Sequence, residues 1–477
     1  MQLNFIDNYP VSSMSMRSIP VIDPSDGLVF DDIQHSDAQD IDAAVQSARG
    51  CFEGPWSRLS AAERGRLLQR LSARVAEHAD ELALLEQRDC GKPTKQARAD
   101  VAALVRYFEF YAGACDKLHG ETLPYQSGYS VFTWREPHGV TGHVIPWNYP
   151  MQIFGRSVGG ALAAGNCCVV KPAEDACLSI LRVAQLAADC GFPPGAINVV
   201  TGFGHEVGQA LAEHPGVDHI SFTGSPRVGT LIQQTAAKRH CPVTLELGGK
   251  SPQIVFADAD LDAALPVIIN AIVQNAGQTC SAGSRVLVEQ AIYQPLLERL
   301  GQAFAALRVG PAGMDLDVGP LIRAGQKKRV TDFLAEARRD GIRTVAEGEI
   351  VAEAPAGGYY QAPVLLADVP VQHRLAQEEV FGPVLAAMPF RDEDHAVELA
   401  NATRFGLVAG VWTRDGGRQL RMARRVRSGQ VFINNYGAGG GVELPFGGYK
   451  SSGYGREKGF EALYGFTVLK TVAVRHG

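Results

Sequence analysis

The sequence predicts an α/β protein of two domains, and three features carry that expectation. The first is length, since 477 residues exceed one ordinary core. The second is a pattern that starts at Gly139, in which apolar strands, glycine turns and helical stretches alternate. GVTGHVI, CCVV, AINVV, VDHISF and VTLEL are its strands, and the alternation is that of a parallel sheet with crossover helices. The third is a further series of the same kind, opening with PQIVF and continuing into SRVLVE, so the two domains are expected to meet near Gly248 and Gly249.

Upstream of Gly139, Ser60 and Glu63 have capping-box spacing. Leu67, Leu68, Leu71 and Val75 follow at helical intervals, predicting one helix that runs until Gly91 and Pro93 end it. A second helix carries Val101, Leu104, Val105, Phe108 and Tyr111 on one face. YSVFTWRE alternates in period two and reads as a strand outside the helical run.

Composition narrows the function. The chain is 46% hydrophobic and 20% charged, with 52 glycines, which fits a globular protein rich in tight turns. A net charge of −6 provides no footprint for nucleic acid or an anionic membrane, so small molecules are the expected partners. The start MQLNFIDNYP lacks a basic and then apolar leader, and no segment is apolar for long enough to span a bilayer. Nine cysteines are scattered without a C-x-x-C, which suits reduced thiols and a cytoplasmic location.

Several motif matches fail on context. GRSVG (Gly155 to Gly159) fits the serine-hydrolase elbow but lies inside the helix that begins near Pro150. GGKS resembles the end of a P-loop, yet Thr244 stands where its first glycine belongs. GFGHEVG, with Gly204, is one residue out of register for the dinucleotide fingerprint. No spacing suggests a metal site.

The remaining candidates cluster at strand ends. FTGSPRVG joins a strand to a helix starting near Pro226. Ser225 and the free amides there suit a phosphate group, and an ordinary N-cap explains them equally well. Lys171 and Glu174 leave the strand CCVV at its C-terminal end, where open α/β sheets bind ligands; a surface ion pair is the other reading. Glu246 ends an apolar strand, so desolvation would raise its pKa towards the range of a general base, unless it is a buried structural acid. Asn148 in PWNYP is either a fixed hydrogen-bond donor or a turn asparagine beside proline. Cys280 in GQTCSAGSR sits among small residues that let a substrate reach the sulfur, as a nucleophile requires.

Together, IPWNYP, KPAEDA, SFTGSPRVG, LELGGKSP, GQTCSAGSR, EEVFGPV and LPFGGYKSSGYGRE resemble the NAD(P)-dependent aldehyde dehydrogenase superfamily in order and approximate spacing, over nearly the whole chain. The resemblance implies two Rossmann-like α/β domains: a dinucleotide-binding one (1–117 and 138–247) and a catalytic one (248–445). It adds a small β oligomerisation extension (118–137 and 446–477) and a homodimer or homotetramer. Cys280 would be the nucleophile, Glu246 the base and Asn148 the oxyanion donor. Lys171 and Glu174 would bind the adenosine ribose, Ser225 the pyrophosphate and Glu379 the nicotinamide ribose, with Phe381 beside the ring. Pro146, Trp147, Gly204, Phe222, Gly224 and Leu247 would complete the cofactor site.

A carboxylate at Glu174 repels a 2′-phosphate, which predicts NAD over NADP. The presence of Glu246 suggests hydrolysis of the acyl enzyme rather than transfer to coenzyme A. Ser157 departs from the resemblance, because many members have lysine there. Tyr149, Thr279, Ser281, Arg156 and Gly439 are the substrate-pocket candidates. Arg156 lies where one branch binds the carboxylate of succinic semialdehyde, whereas the run Gly439 to Gly441 leaves room for a bulkier or aromatic aldehyde. A non-catalytic NAD-binding homologue and an esterase or thioesterase are the readings from other classes.

Overall fold

The strand–turn–helix units assemble into two parallel sheets, each with its own apolar core. The structure, a computed structural model, describes residues 1–477 apart from positions 438 and 439. In the first sheet five parallel strands lie in the order Ile197–Val199, Cys167–Pro172, Val140–Ile145, His219–Thr223 and Val243–Glu246. The chain enters at the middle strand, winds outward to one side, then crosses to the other. Strand order therefore reverses between Val140–Ile145 and His219–Thr223, and a crevice opens there beyond the strands' C-terminal ends. Asn4–Ile6 and Gly453–Tyr454 pair antiparallel at the flanks of this parallel set.

The second sheet has seven strands. Arg343–Glu347 is antiparallel at one edge; then Val364–Ala367, Val384–Phe390, Arg285–Glu289, Pro252–Val255, Val408–Trp412 and Gln430–Ile433 run parallel. Both sheets thus have the parallel α/β build that the strand pattern predicts. Apart from them, the expected strand Tyr129–Pro137 pairs antiparallel with Thr467–Arg475 and with Thr122–Leu123 in a three-stranded ribbon.

Two elements differ from the sequence reading. The capping box at Ser60 forms, but the helix it starts stops at Glu77, and a second helix, Ala79–Cys90, follows. His78 leaves helical geometry (φ −102°, ψ 22°) and its ring sits 2.6 Å from Glu81, while Asp80 and Glu81 favour a new N-terminus there. Gly91 then ends the pair in the left-handed conformation, φ +76°. The helix before the cysteine loop, which the sequence pattern carries from Leu265 to Asn275, is Leu261–Val273 and ends early, because Asn275 and Ala276 turn left-handed (φ 48° and 52°).

Candidate active site

The first sheet presents the C-terminal ends of its strands to the site. Val140–Ile145 runs into Pro146, Trp147 and Asn148 before a helix begins at Pro150, so GRSVG is helical and buried. Lys171 lies near the end of Cys167–Pro172, and Glu246 is the last residue of its own strand. Ser225 is the N-cap of the helix Pro226–Ala237, its hydroxyl accepting from the Val228 N–H at 3.4 Å.

The second sheet approaches with the N-terminal ends of its strands. Cys280 lies in the loop before Arg285–Glu289, and Glu379 and Phe381 lie before Val384–Phe390. Gly248 and Gly249 link the halves. A Cβ on Gly249 would collide with the Cys280 carbonyl, and one on Gly248 with the Glu379 carboxylate, so only glycine lets these loops close on each other.

Asn275 fixes the Cys280 loop. Its Nδ2 donates to the Asn148 carbonyl at 2.9 Å and its backbone N–H to Gln96 at 2.8 Å. Asn148 donates in turn from Nδ2 to the Gln278 carbonyl at 3.0 Å, which leaves its second amide hydrogen for a ligand. Tyr149 bonds Thr279 at 2.9 Å, and Lys92, buried with Glu86 and Asp100, lies 4.1 Å from the Tyr149 ring centroid. The Tyr436 hydroxyl donates to the Ser281 carbonyl at 2.5 Å. These bonds tie both flanks of Cys280 to the surrounding structure.

A cavity of about 350 Å³ opens over the sulfur. Asn148, Tyr149, Arg156, Thr279, Cys280 and Ser281 all line it, together with Tyr436, Phe446 and Lys458. Gly439 lies outside the described residues. Arg156 reaches this wall as a paired charge: its Nε bonds Glu457 at 2.5 Å and its Nη2 bonds Thr223 at 3.1 Å. Glu457, fully buried, also accepts from Ser221 at 2.5 Å. Ser157, in the lysine position, joins this network through Ser221 at 3.0 Å and His143 at 2.5 Å.

The electrostatics follow from that arrangement. Burial raises the Glu246 carboxyl well above its ordinary range; Arg156 opposes the shift and Glu457 adds to it. Neither Glu246 side-chain oxygen has a hydrogen-bond partner among the described residues. Burial likewise pushes the Cys280 thiol up to about 11, with Arg156 the main opposing charge. One guanidinium therefore favours the ionised forms of both groups.

The cofactor candidates come from both sheets. Lys171 bonds Glu174 at 2.9 Å; burial would raise the glutamate's pKa, but the ammonium, a backbone N–H and Arg323 together outweigh it and keep the carboxylate ionised. A Cβ on Gly204 would sit 3.9 Å from the Lys171 ammonium, whereas one on Gly224 would strike the Phe222 ring, so the close packing of that ring needs glycine there. Gly229 packs on Leu247. Glu379 accepts from the Gly249 N–H at 3.1 Å and burial lifts its pKa to about 7. Phe381 is left-handed (φ 60°), strained for an aromatic residue, and meets Trp147 edge to face at 5.4 Å. Carboxylates for ribose hydroxyls, a helix N-terminus for a pyrophosphate and an aromatic wall fit a dinucleotide. Among the described residues, the one group with metal-ligand geometry is Glu336, Asp340 and His373, which belongs to none of these elements.

The sequence reading missed Asn275, Glu457 and Lys458. Glu457 ends the motif LPFGGYKSSGYGRE, so a signal for it was present, but its partner Arg156 is 301 positions away.

Comparison with known proteins agrees with this geometry. The model of the aldehyde dehydrogenase family matches residues 11–472. Retinal dehydrogenase 2 of Homo sapiens is 40% identical over 476 residues, covering 99% of this chain and 91% of that protein. The crystal structure of a Burkholderia cenocepacia protein is 71% identical, with a TM-score of 0.99 over 100% of both chains. A Bacillus cereus aldehyde dehydrogenase solved as an NAD+ complex is 38% identical, with a TM-score of 0.97 over 100% of this chain and 97% of that one.

Proposed function

The chain belongs to the aldehyde dehydrogenase family, and from that premise we propose that it oxidises an aldehyde and water to a carboxylic acid, with NAD as hydride acceptor and Cys280 as covalent nucleophile. The observation that carries this reading is Glu246. A buried carboxylate whose oxygens lack partners among the described residues is costly unless a water or ligand completes it, and the charge of this one acts on Cys280, whose thiol lines the cavity.

The Cys280 thiolate attacks the aldehyde carbon, forming a C–S bond and a tetrahedral alkoxide. The free Asn148 amide hydrogen and the Cys280 N–H, which has no acceptor among the described residues, are the donors for that oxygen. NAD held by Lys171, Glu174, Ser225 and Glu379 would supply the hydride acceptor, so that the alkoxide can re-form its C=O bond with loss of hydride from the same carbon, leaving a thioester on Cys280. Glu246 then removes a proton from water as it attacks the thioester. The C–S bond breaks, and the acid leaves with the thiolate restored.

Glu174 supports NAD over NADP, because an ionised carboxylate at the ribose accepts hydroxyls and repels a phosphate. Glu246 supports hydrolysis without coenzyme A. The ribbon's exposed Trp134, Val468, Leu469 and Val474 support a homodimer or homotetramer. Nine free cysteines support a cytoplasmic location. No helix among the described residues is long and apolar enough to cross a membrane.

The test is production of reduced nicotinamide by the purified protein from NAD and a panel of acidic, aliphatic and aromatic aldehydes, beside Cys280→Ala. Turnover that needs Cys280, runs without coenzyme A and falls with NADP is expected. NAD binding without turnover would point to a non-catalytic homologue, and ester cleavage independent of NAD to an esterase.

A further inference from the structure

Two cations line the cavity over Cys280, and they differ in how fully they are matched. Arg156 is tied to Glu457 and Thr223. Among the described residues the Lys458 ammonium makes a single hydrogen bond, to the Gly440 carbonyl at 3.0 Å, and no salt bridge. Glu443, the nearby acid that favours its charge, is itself bridged to Arg106 at 2.6 Å.

The backbone aims this lysine. Lys458 is left-handed (φ 64°), a conformation uncommon for a long side chain. Its neighbours hold it there: Glu457 exchanges backbone bonds with Phe446 at 2.6 and 2.8 Å, and the Gly459 N–H donates to Val442 at 2.8 Å. As a result Glu457 turns inward to Arg156 while Lys458 turns to the cavity. The rings of Phe446 and Tyr107 stand 5.8 and 6.0 Å from the ammonium. Gln152, Asn270, Gln274 and Gln430 add neutral amides to the same wall.

We propose that Lys458 determines specificity by binding a carboxylate at the end of the aldehyde remote from the reacting carbonyl, while Arg156 stays with Glu457 and acts on the site through its charge. The proposal rests on the aldehyde-oxidising reading of the cavity. One unmatched ammonium among neutral amides suits a monoanion. A dianionic phosphate calls for a second unmatched cation, and the described lining has none.

The test compares aldehydes that differ only in a terminal carboxylate, such as succinic semialdehyde with butanal and 4-carboxybenzaldehyde with benzaldehyde, in wild type, Lys458→Arg and Lys458→Asn. Asparagine tolerates the left-handed backbone, so the second variant removes charge without forcing a new conformation. Wild type should favour the acidic partner. Lys458→Asn should lower the acidic-to-neutral ratio of kcat/KM by about tenfold, chiefly through KM, and Lys458→Arg should keep it. A preference for the neutral partner in wild type, or an unchanged ratio in Lys458→Asn, overturns the proposal.

A second measurement does not depend on turnover: protection of Cys280 from a neutral alkylating reagent by succinate or 4-carboxybenzoate. Protection that weakens about tenfold in Lys458→Asn supports the site even if no aldehyde is oxidised, in which case the reaction assignment falls alone. Protection equal in both proteins removes the site, whatever the turnover.

Discussion

The first sheet meets the site with the C-terminal ends of its strands, and the second with the N-terminal ends. On the first, Asn148, Lys171, Ser225 and Glu246 sit at or just past strand ends, where short turns and a helix N-terminus face the crevice. On the second, Cys280, Glu379 and Phe381 sit on loops that have yet to enter their strands. Those loops are placed by bonds across the boundary, from Asn275 to the Asn148 carbonyl and from the Gly249 N–H to Glu379. On the proposed reading, water activation and the contacts of Lys171, Glu174 and Ser225 with the cofactor thus belong to the first sheet, while the nucleophile and the nicotinamide-side contacts of Glu379 and Phe381 belong to the second. The nucleophile is only as well positioned as the contact between them.

The sharpest way to break this division is to remove one chemical group from each side. Cys280→Ala should abolish even the first turnover. Glu246→Gln should still release one equivalent of reduced nicotinamide per site in a rapid burst, then turn over slower by about 10² to 10⁴-fold. Rapid-quench measurement of the burst decides it. If Glu246→Gln loses the burst as well, the carboxylate takes part before the thioester forms and the two sheets do not divide the steps.

The next effect is smaller and probes the seam. Asn275→Asp keeps a residue that tolerates the left-handed backbone but replaces the Nδ2 donor with an acceptor facing the Asn148 carbonyl. A displaced Cys280 loop should lower kcat by about 10 to 100-fold and leave the KM for NAD within about twofold, because the first sheet's grip is untouched. Equal changes in both constants would mean that Asn275 supports the whole fold rather than the approach of the thiol.

The same contrast decides what the sequence could say. The first sheet's residues were legible because a strand pattern broken by a glycine or proline marks the strand's end, and an open sheet binds ligands there: Lys171 before Pro172, Glu246 before Gly248, Ser225 before Pro226. Cys280 was legible by a different route, as a thiol among residues too small to pack around it. The clamps were not. Asn275 lies in what scans as the end of a helix, and only its left-handed backbone turns its amide to Asn148. Arg156 was visible as a charge, but its neutralisation by Glu457 is a contact that no local pattern announces. The break at His78 has no glycine or proline to signal it and depends on how the two helices pack.

The smallest predicted effect asks whether the unmatched cation belongs to the working site. Burial above all, and Arg156 by like charge, lower the Lys458 pKa to about 8 against the opposing pull of Glu443 and Cys280. A lysine is charged below its pKa, so anion binding is present at low pH and lost as pH rises through about 8. The neutral aldehyde reports the opposite trend, because Cys280 and Glu246, both raised by burial, become more reactive as they ionise. Dividing kcat/KM for an acidic aldehyde by that for its neutral partner cancels those two groups. Of the others facing the ammonium, Arg156 stays protonated because Glu457, Glu246, Cys280 and Tyr107 together overcome its burial, burial keeps the Tyr107 phenol protonated, and Glu443 stays ionised through its own backbone N–H and Arg106. The ratio should therefore fall roughly tenfold between about pH 7 and about pH 10, and a ratio flat across that range would show that the charge on Lys458 never touches the substrate.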